Sequence, residues 1–317
     1  MKIAFLGFGG IGQETLNMLL HSAKLRDHFD EIVIICRNVE KYSAFCEDIV
    51  DGLLTEYIFS GQDRIKLPSI VISDDYQNIK GSKILICCYG VPSTFPMQDR
   101  HFLLDDHIEL SNKIFKQASP FITSDSYVIN AVNPVDSISY YIDKVLLNSR
   151  CSVVGIGATH NTARLLKSIC RISKLDMQSI DAKSLMVCGE HGTKLIPLLS
   201  KVKTDKGLLI DVIPSANILQ IIEDTCNQGL DIFHKMQRPP KYGPAVSILT
   251  FLERITQRSK KPCCGSIWIQ ELEVFMSWPL ALCDKGFLPL PISTSQEEYE
   301  RITQAALKLK TIIEDLH

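Results

Sequence analysis

No apolar run in these 317 residues approaches the roughly 18 that a membrane-crossing helix requires. No Lys/Arg run exceeds the pair Lys260-Lys261, and the formal net charge is −2, so no polyanion-binding surface is indicated and nucleic acid is not an expected partner. Cys-x-x-Cys spacing is absent among the eleven cysteines, two pairs of which, Cys87-Cys88 and Cys263-Cys264, are adjacent. That pattern argues against zinc or a disulfide framework and for reduced, buried thiols in a cytoplasmic compartment. No metal-ligand set is expected. Internal repeats, low-complexity segments and polar linkers are also lacking. The opening residues are apolar, but glycines at 7, 9, 10 and 12 interrupt them and no cleavage-like end follows, so strand and turn are expected there rather than a leader.

What remains is an ordinary globular composition, 45% hydrophobic and 22% charged, in a chain long enough for about two domains. Residues 2–6 read as an apolar strand. Gly7-Phe8-Gly9-Gly10-Ile11-Gly12 follows, then a helical pattern with Ile11, Thr15, Leu16, Leu19 and Leu20 on one side. This is G-x-G-x-x-G between strand and helix. The first glycine permits the tight turn, the second lets backbone approach a pyrophosphate, and the third lets helix pack on strand. Ile32-Val33-Ile34-Ile35 supplies the second strand at the distance a dinucleotide-binding unit needs.

A carboxylate at the end of that second strand would accept from the adenosine ribose hydroxyls. Here Cys36-Arg37-Asn38 stands instead. Nothing repels a 2′-phosphate, and Arg37, with Lys41 nearby, attracts one, so the local chemistry leans toward NADP while leaving NAD open. Further strands are expected at 70–73, 83–88, 127–132 and 151–155, alternating with helices. The fold class is therefore α/β, a Rossmann-type doubly wound parallel sheet, followed by an α+β substrate domain. Its ligands should sit beyond the strand carboxyl ends, where the glycine turn, Cys36, Gly90 and Asn133 gather.

After residue 155 the pattern changes, dividing the chain into a dinucleotide-binding domain, 1–155, and a substrate and catalytic domain, 156–317. A helix begins near Asn161, a hairpin is expected around 205–207, and a long helix spans about 216–234. Apolar residues at 299, 302, 306, 309, 313 and 316 describe one amphipathic terminal helix. Between two glycines in Gly189-Glu190-His191-Gly192, after the apolar Leu185-Met186-Val187, lies an imidazole able to exchange protons near neutrality.

Five motifs in one order, beginning at the glycine turn, bear on function. They continue with Gly90-Val91-Pro92 and Arg100, then Asn133-Pro134-Val135-Asp136, Thr162-Ala163-Arg164 and Gly189-Glu190-His191-Gly192. The set resembles the lactate/malate dehydrogenase family over essentially the whole chain. The resemblance implies hydride transfer between NAD or NADP and a small 2-oxo or 2-hydroxy acid, in a homodimer or homotetramer. It assigns His191 as proton donor to the substrate carbonyl and Arg164 as the planar fork on its carboxylate. Arg100 would polarise the carbonyl from a closing loop, and Asn133 would hydrogen-bond near substrate and cofactor. The cofactor set it implies is Gly7, Gly9, Gly10, Ile11, Gly12, Cys36, Arg37, Gly90 and Asn133.

Three departures accompany the likeness. Asn161 stands where the family pairs an aspartate with the catalytic histidine; its amide oxygen is expected to hold the ring without offsetting charge. Cys36 replaces the ribose carboxylate. Ser93-Thr94-Phe95 stands where malate-type members place a second arginine, and Pro240 where a small specificity residue is expected, so a dicarboxylate lacks a clamp unless Arg238 or Lys241 reaches in. These departures also define an alternative, a catalytically weakened or inactive member with a regulatory or scaffolding role.

Overall fold

The computed structural model describes residues 1–61, 63–91, 103–192 and 194–314. Its first half alternates as expected: β1 (Lys2–Leu6), α1 (Gly10–His21), α2 (Ala23–Arg26), β2 (Glu31–Ile35), α3 (Val39–Ser60), β3 (Ser69–Ser73), β4 (Ile84–Cys87), α4 (Leu104–Ala118), β5 (Tyr127–Asn130), α5 (Val135–Val145) and β6 (Ser152–Gly155). These strands lie parallel in the order β3-β2-β1-β4-β5-β6. Their near-continuous apolar runs follow from burial on both faces. Along β1, Ile3 and Phe5 join Leu16 and Leu19 in one core, while Ala4 and Leu6 turn to the other face with Ile114, Phe115 and Ile138.

The second half contributes α6 (Asn161–Ser173), β7 (Val187–Gly189), β8 (Leu195–Pro197), β9 (Lys203–Thr204), β10 (Gly207–Leu208), α7 (Leu209–Val212), α8 (Ser215–Met236), α9 (Tyr242–Thr256), β11 (Cys263–Ile269), β12 (Val274–Cys283), β13 (Gly286–Pro289) and α10 (Gln296–Glu314). The hairpin expected near 205–207 is β9-β10. Residues 263–289, to which the sequence assigned no element, form antiparallel strands that extend the first-half sheet in the order β6-β11-β12-β7-β8. Ser266 of β11 sits opposite Gly155 of β6, and Ser277 of β12 opposite Gly189 of β7. The strand carrying the Gly189-Glu190-His191 turn therefore belongs to the sheet that carries the glycine loop.

Two packing details fix that junction. A Cβ on Gly155 would come within 2.6 Å of Ser139 Oγ and 2.9 Å of Ser266 Cβ, so only glycine admits β11 and α5 together. Tyr140 of α5 stacks on Trp268 of β11 with ring centroids 6.0 Å apart. In α10 Ile302, Ala306, Leu309 and Ile313 are buried, but Tyr299 is 56% exposed and departs from the expected stripe; residue 316 lies outside the described residues. Among the described residues no helix is long and apolar enough to cross a membrane.

Candidate active site

The glycine turn folds as its spacing demands. Gly7 has φ +80°, and a Cβ there would lie 2.5 Å from Tyr89 Cα, which seats the turn against the end of β4. Gly12 lies under Cys88, whose thiol donates to Gly7 O at 3.0 Å. Gly9 and Gly10 are exposed, with open space beyond Gly10, and Ile11 is half-buried. Helix α1 starts at Gly10 with neither a side-chain cap nor an acidic residue in its first turn. Its leading N–H groups thus face the open side of the turn, which suits a pyrophosphate.

At the end of β2, Cys36 is buried and its thiol is pushed up by desolvation, so it stays protonated and cannot stand in for a carboxylate. Arg37 is exposed beside it. Asn38 caps α3, accepting from Lys41 N at 3.0 Å, so that amide serves the helix. Gly90 is exposed at the end of β4.

His191, half-buried, follows β7. Its backbone N–H donates to Asp136 Oδ2 at 2.7 Å, and Asp136 is a buried residue in the first turn of α5, three positions after Asn133. The imidazole meets that of His160 edge to face, with centroids 5.9 Å apart. His160 precedes α6, and its carbonyl accepts from Arg164 N, so Arg164 sits one helical turn from the ring that touches His191. Arg164 is 8% exposed, its guanidinium against Gly229 of α8, where a Cβ would stand 2.9 Å from Nη1. The His191 ring thus meets the residue that precedes α6, and Arg164 stands one turn further along that helix. Arg100 lies outside the described residues, as do 92–99.

Two buried side-chain acceptors in this region, Asn133 Oδ1 and Asn161 Oδ1, have no hydrogen-bond partner among the described residues. The bond expected from Asn161 to the His191 ring is accordingly not made, although Asn161 is 1% exposed at the start of α6. A buried acceptor without a donor costs about 1–3 kcal/mol, which is reasonable where a ligand completes the bond. Lys241 does not reach in as a carboxylate clamp, because its ammonium is 3.0 Å from Glu14 Oε2 on α1, and Arg238 is exposed. Pro240 is half-buried just before α9.

The cysteines supply no nucleophile here. Burial pushes the Cys88, Cys151 and Cys263 thiols up to about 12. Among the described residues no group of three His, Cys, Asp or Glu side chains is placed to hold a metal.

Asp136, His160, His107 and Gly229 went unassigned from sequence. Asp136 stood inside a quoted motif, and a glycine in mid-helix such as Gly229 signals close packing. His160 and His107 carried no such signal.

A parallel sheet with the glycine turn at its strand ends thus runs on into antiparallel strands, one of which leads to the His191 turn. No family model matches the chain. It is 25% identical over 99% of its length, and 99% of the relative's, to the malate dehydrogenase of Methanosarcina barkeri. The malate dehydrogenase of Cryptosporidium parvum superimposes with TM-score 0.83 at 20% identity, covering 99% of this chain and 98% of that one. The lactate dehydrogenase of the same organism, solved with lactic acid and nicotinamide adenine dinucleotide, gives 0.81 at 19%, covering 99% and 97%. Over nearly its whole length the chain is similar in sequence to a malate dehydrogenase, and it shares its fold with malate and lactate dehydrogenases.

Proposed function

We propose that the protein is an NAD(P)-dependent 2-hydroxyacid dehydrogenase, with domains divided near 155. The observation that carries this reading is the meeting of the His191 turn with the amino end of α6, one turn from Arg164. Residues at the glycine turn fit a dinucleotide: open backbone at Gly9 and Gly10, uncapped α1 N–H groups, and the buried acceptor Asn133 Oδ1. The nicotinamide, when bound, supplies or takes the hydride.

Arg164 grips the substrate carboxylate through its two parallel N–H groups and orients the 2-oxo carbon. The protonated His191 ring donates to the carbonyl oxygen as that oxygen gains charge, and the neutral ring takes the proton back in the oxidation direction. Asn133 Oδ1 accepts from the hydroxyl form of the substrate or from the cofactor amide. Arg100, carried over from the family pattern alone, adds positive charge near the same oxygen.

The substrate reading is a 2-oxo acid with an uncharged far end, supported by Ser93 in place of a second arginine and by Lys241 being held by Glu14. Arg37, exposed beside the carboxylate-free end of β2, supports NADP alongside NAD. Exposed apolar side chains on α8 and α9, Leu219, Tyr242 and Val246, support a homo-oligomer. Nicotinamide absorbance followed with a panel of 2-oxo acids, against a His191→Ala control, tests the activity. Turnover that survives in the control sinks the reading, and a large preference for oxaloacetate sinks the substrate assignment.

A further inference from the structure

A third histidine lies close to the site and has no role in the proposed reaction. His107, in the first turn of α4, is 5% exposed. Its ring spans two loops: Nε2 lies 3.2 Å from the backbone N of Val91, and Nδ1 lies 2.5 Å from the backbone O of Asn133. These partners fix the protons. The Val91 amide can only donate, so Nε2 is the acceptor; the Asn133 carbonyl can only accept, so Nδ1 carries the hydrogen. Only the neutral ring satisfies both, since a doubly protonated imidazole would turn an N–H toward the Val91 N–H.

We propose that His107 is a positioning residue for the dehydrogenase reaction: its neutral ring clasps the loop after β4 to the loop after β5, and its protonation opens the clasp. The proposal rests on the dehydrogenase reading, because the clasped residues matter through what lies beside them. Tyr89, two residues before Val91, lies against Gly7 of the glycine turn, and Asn133 bears the buried acceptor Oδ1. Protonation leaves the Nδ1–H bond to the Asn133 carbonyl in place and turns an N–H toward the Val91 amide, so the end released is Val91, close to the glycine turn, while Asn133 stays with the ring.

The surroundings favour the neutral ring. Burial is the largest influence and holds the His107 pKa below the ordinary histidine value, offset in part by the bond to Asn133 and by Asp106 beside it. Of the titratable side chains on the elements packed around α4, the phenols carry no charge near neutrality, and the charged groups on α5 are Asp136, Asp143 and Lys144. Tyr76, Tyr89 and Tyr141 all have phenols pushed up by burial, and Tyr89 is bonded to Ser111 one turn along α4. Asp136 on α5 faces the His191 amide.

The sign follows. The folded-state pKa is depressed, so the clasp is complete above the ordinary histidine value and is lost as pH falls through the folded one. Reduction of a 2-oxo acid consumes a proton through His191 and by itself gains from acidity, so an acid-side decline in that direction reports on His107.

The test compares the parent chain with His107→Asn and His107→Leu, reading kcat, KM and the NADH and NADPH dissociation constants against pH. An asparagine offers an amide oxygen to Val91 and an amide N–H to Asn133 without titrating. It should keep neutral-pH kcat/KM within about threefold and abolish the acid-side decline. The leucine variant loses both bonds and should fall roughly tenfold to a hundredfold in kcat/KM. An acid-side decline that persists unchanged in His107→Asn overturns the proposal. Nitrogen NMR of the His107 ring needs no turnover: a neutral ring protonated at Nδ1 supports the clasp, and any other form overturns it. Absence of turnover in the parent chain on every acid tried, with the ring in that form, strikes the dehydrogenase reading separately.

Discussion

The amide N–H of His191 and the carboxylate of Asp136 are 2.7 Å apart, which hangs the His191 turn from the first turn of α5. The bond is charge-assisted and partly buried, and such bonds contribute about 1.5–3 kcal/mol. Asp136→Ala should therefore lower kcat/KM roughly tenfold to a hundredfold, with cofactor affinity nearly unchanged. Steady-state kinetics beside cofactor titration checks this. A variant with parent-like kinetics would show that the turn holds its shape unaided.

Asn161 is the position at which added charge should help. An aspartate there follows His160, whose ring meets that of His191, and a full charge in place of an amide dipole stabilises an imidazolium a few Å away by a few kcal/mol at an effective dielectric near ~20. Asn161→Asp should raise kcat for 2-oxo acid reduction by one to two decades, while the newly buried carboxylate lowers Tm by a few degrees. Rapid-mixing kinetics and a melting curve report both. Unchanged or lower turnover would remove the pairing assigned to this position.

Gly229 leaves room for Arg164. Its missing side chain lets the guanidinium lie against α8, where a Cβ would intrude to 2.9 Å. Gly229→Ala gains helix propensity of up to about 1 kcal/mol yet displaces the fork. The expected result is an unchanged or higher Tm with KM for the 2-oxo acid raised at least about tenfold. If KM stays put, the guanidinium does not contact substrate from this position.

Arg37 tests the cofactor. Arg37→Ala should weaken NADPH roughly tenfold and leave NADH within about twofold, as expected for one charge-assisted bond to a 2′-phosphate. Fluorescence titration with each nucleotide measures it. Equal losses for the two would assign Arg37 no part in choosing between them.

The nucleotide-binding half was readable because its signals are local. Buried parallel strands are continuous apolar runs, and the backbone needs of the glycine turn are met by few residues other than glycine. His191 and Arg164 were readable as motifs, but the route joining them through His160 was not, since it depends on β7 entering the sheet beside β12. Residues 263–289 escaped because the Cys263-Cys264-Gly265-Ser266 start is neither strongly alternating nor strongly apolar, and β11 is specified by its neighbours rather than by itself. His107 escaped for another reason: a buried histidine satisfied by two backbone groups leaves no mark on a sequence, because both partners are present at every residue. Lys241 shows the converse. Its charge suggested a substrate clamp, and Glu14, distant in sequence, holds it.

The seam at Gly155 and Ser266 bears on how the molecule can move. One sheet runs from the parallel strands into the strand that precedes His191, joined at Gly155 with Ser266 and again at Ser277 with Gly189. Opening the two halves like a book would break those pairs and the close packing at Gly155, so rearrangement of surface segments is the less costly way to admit an incoming acid. The same continuity makes the sheet a single cooperative block: severing the chain after β6 would bare a strand edge on each fragment.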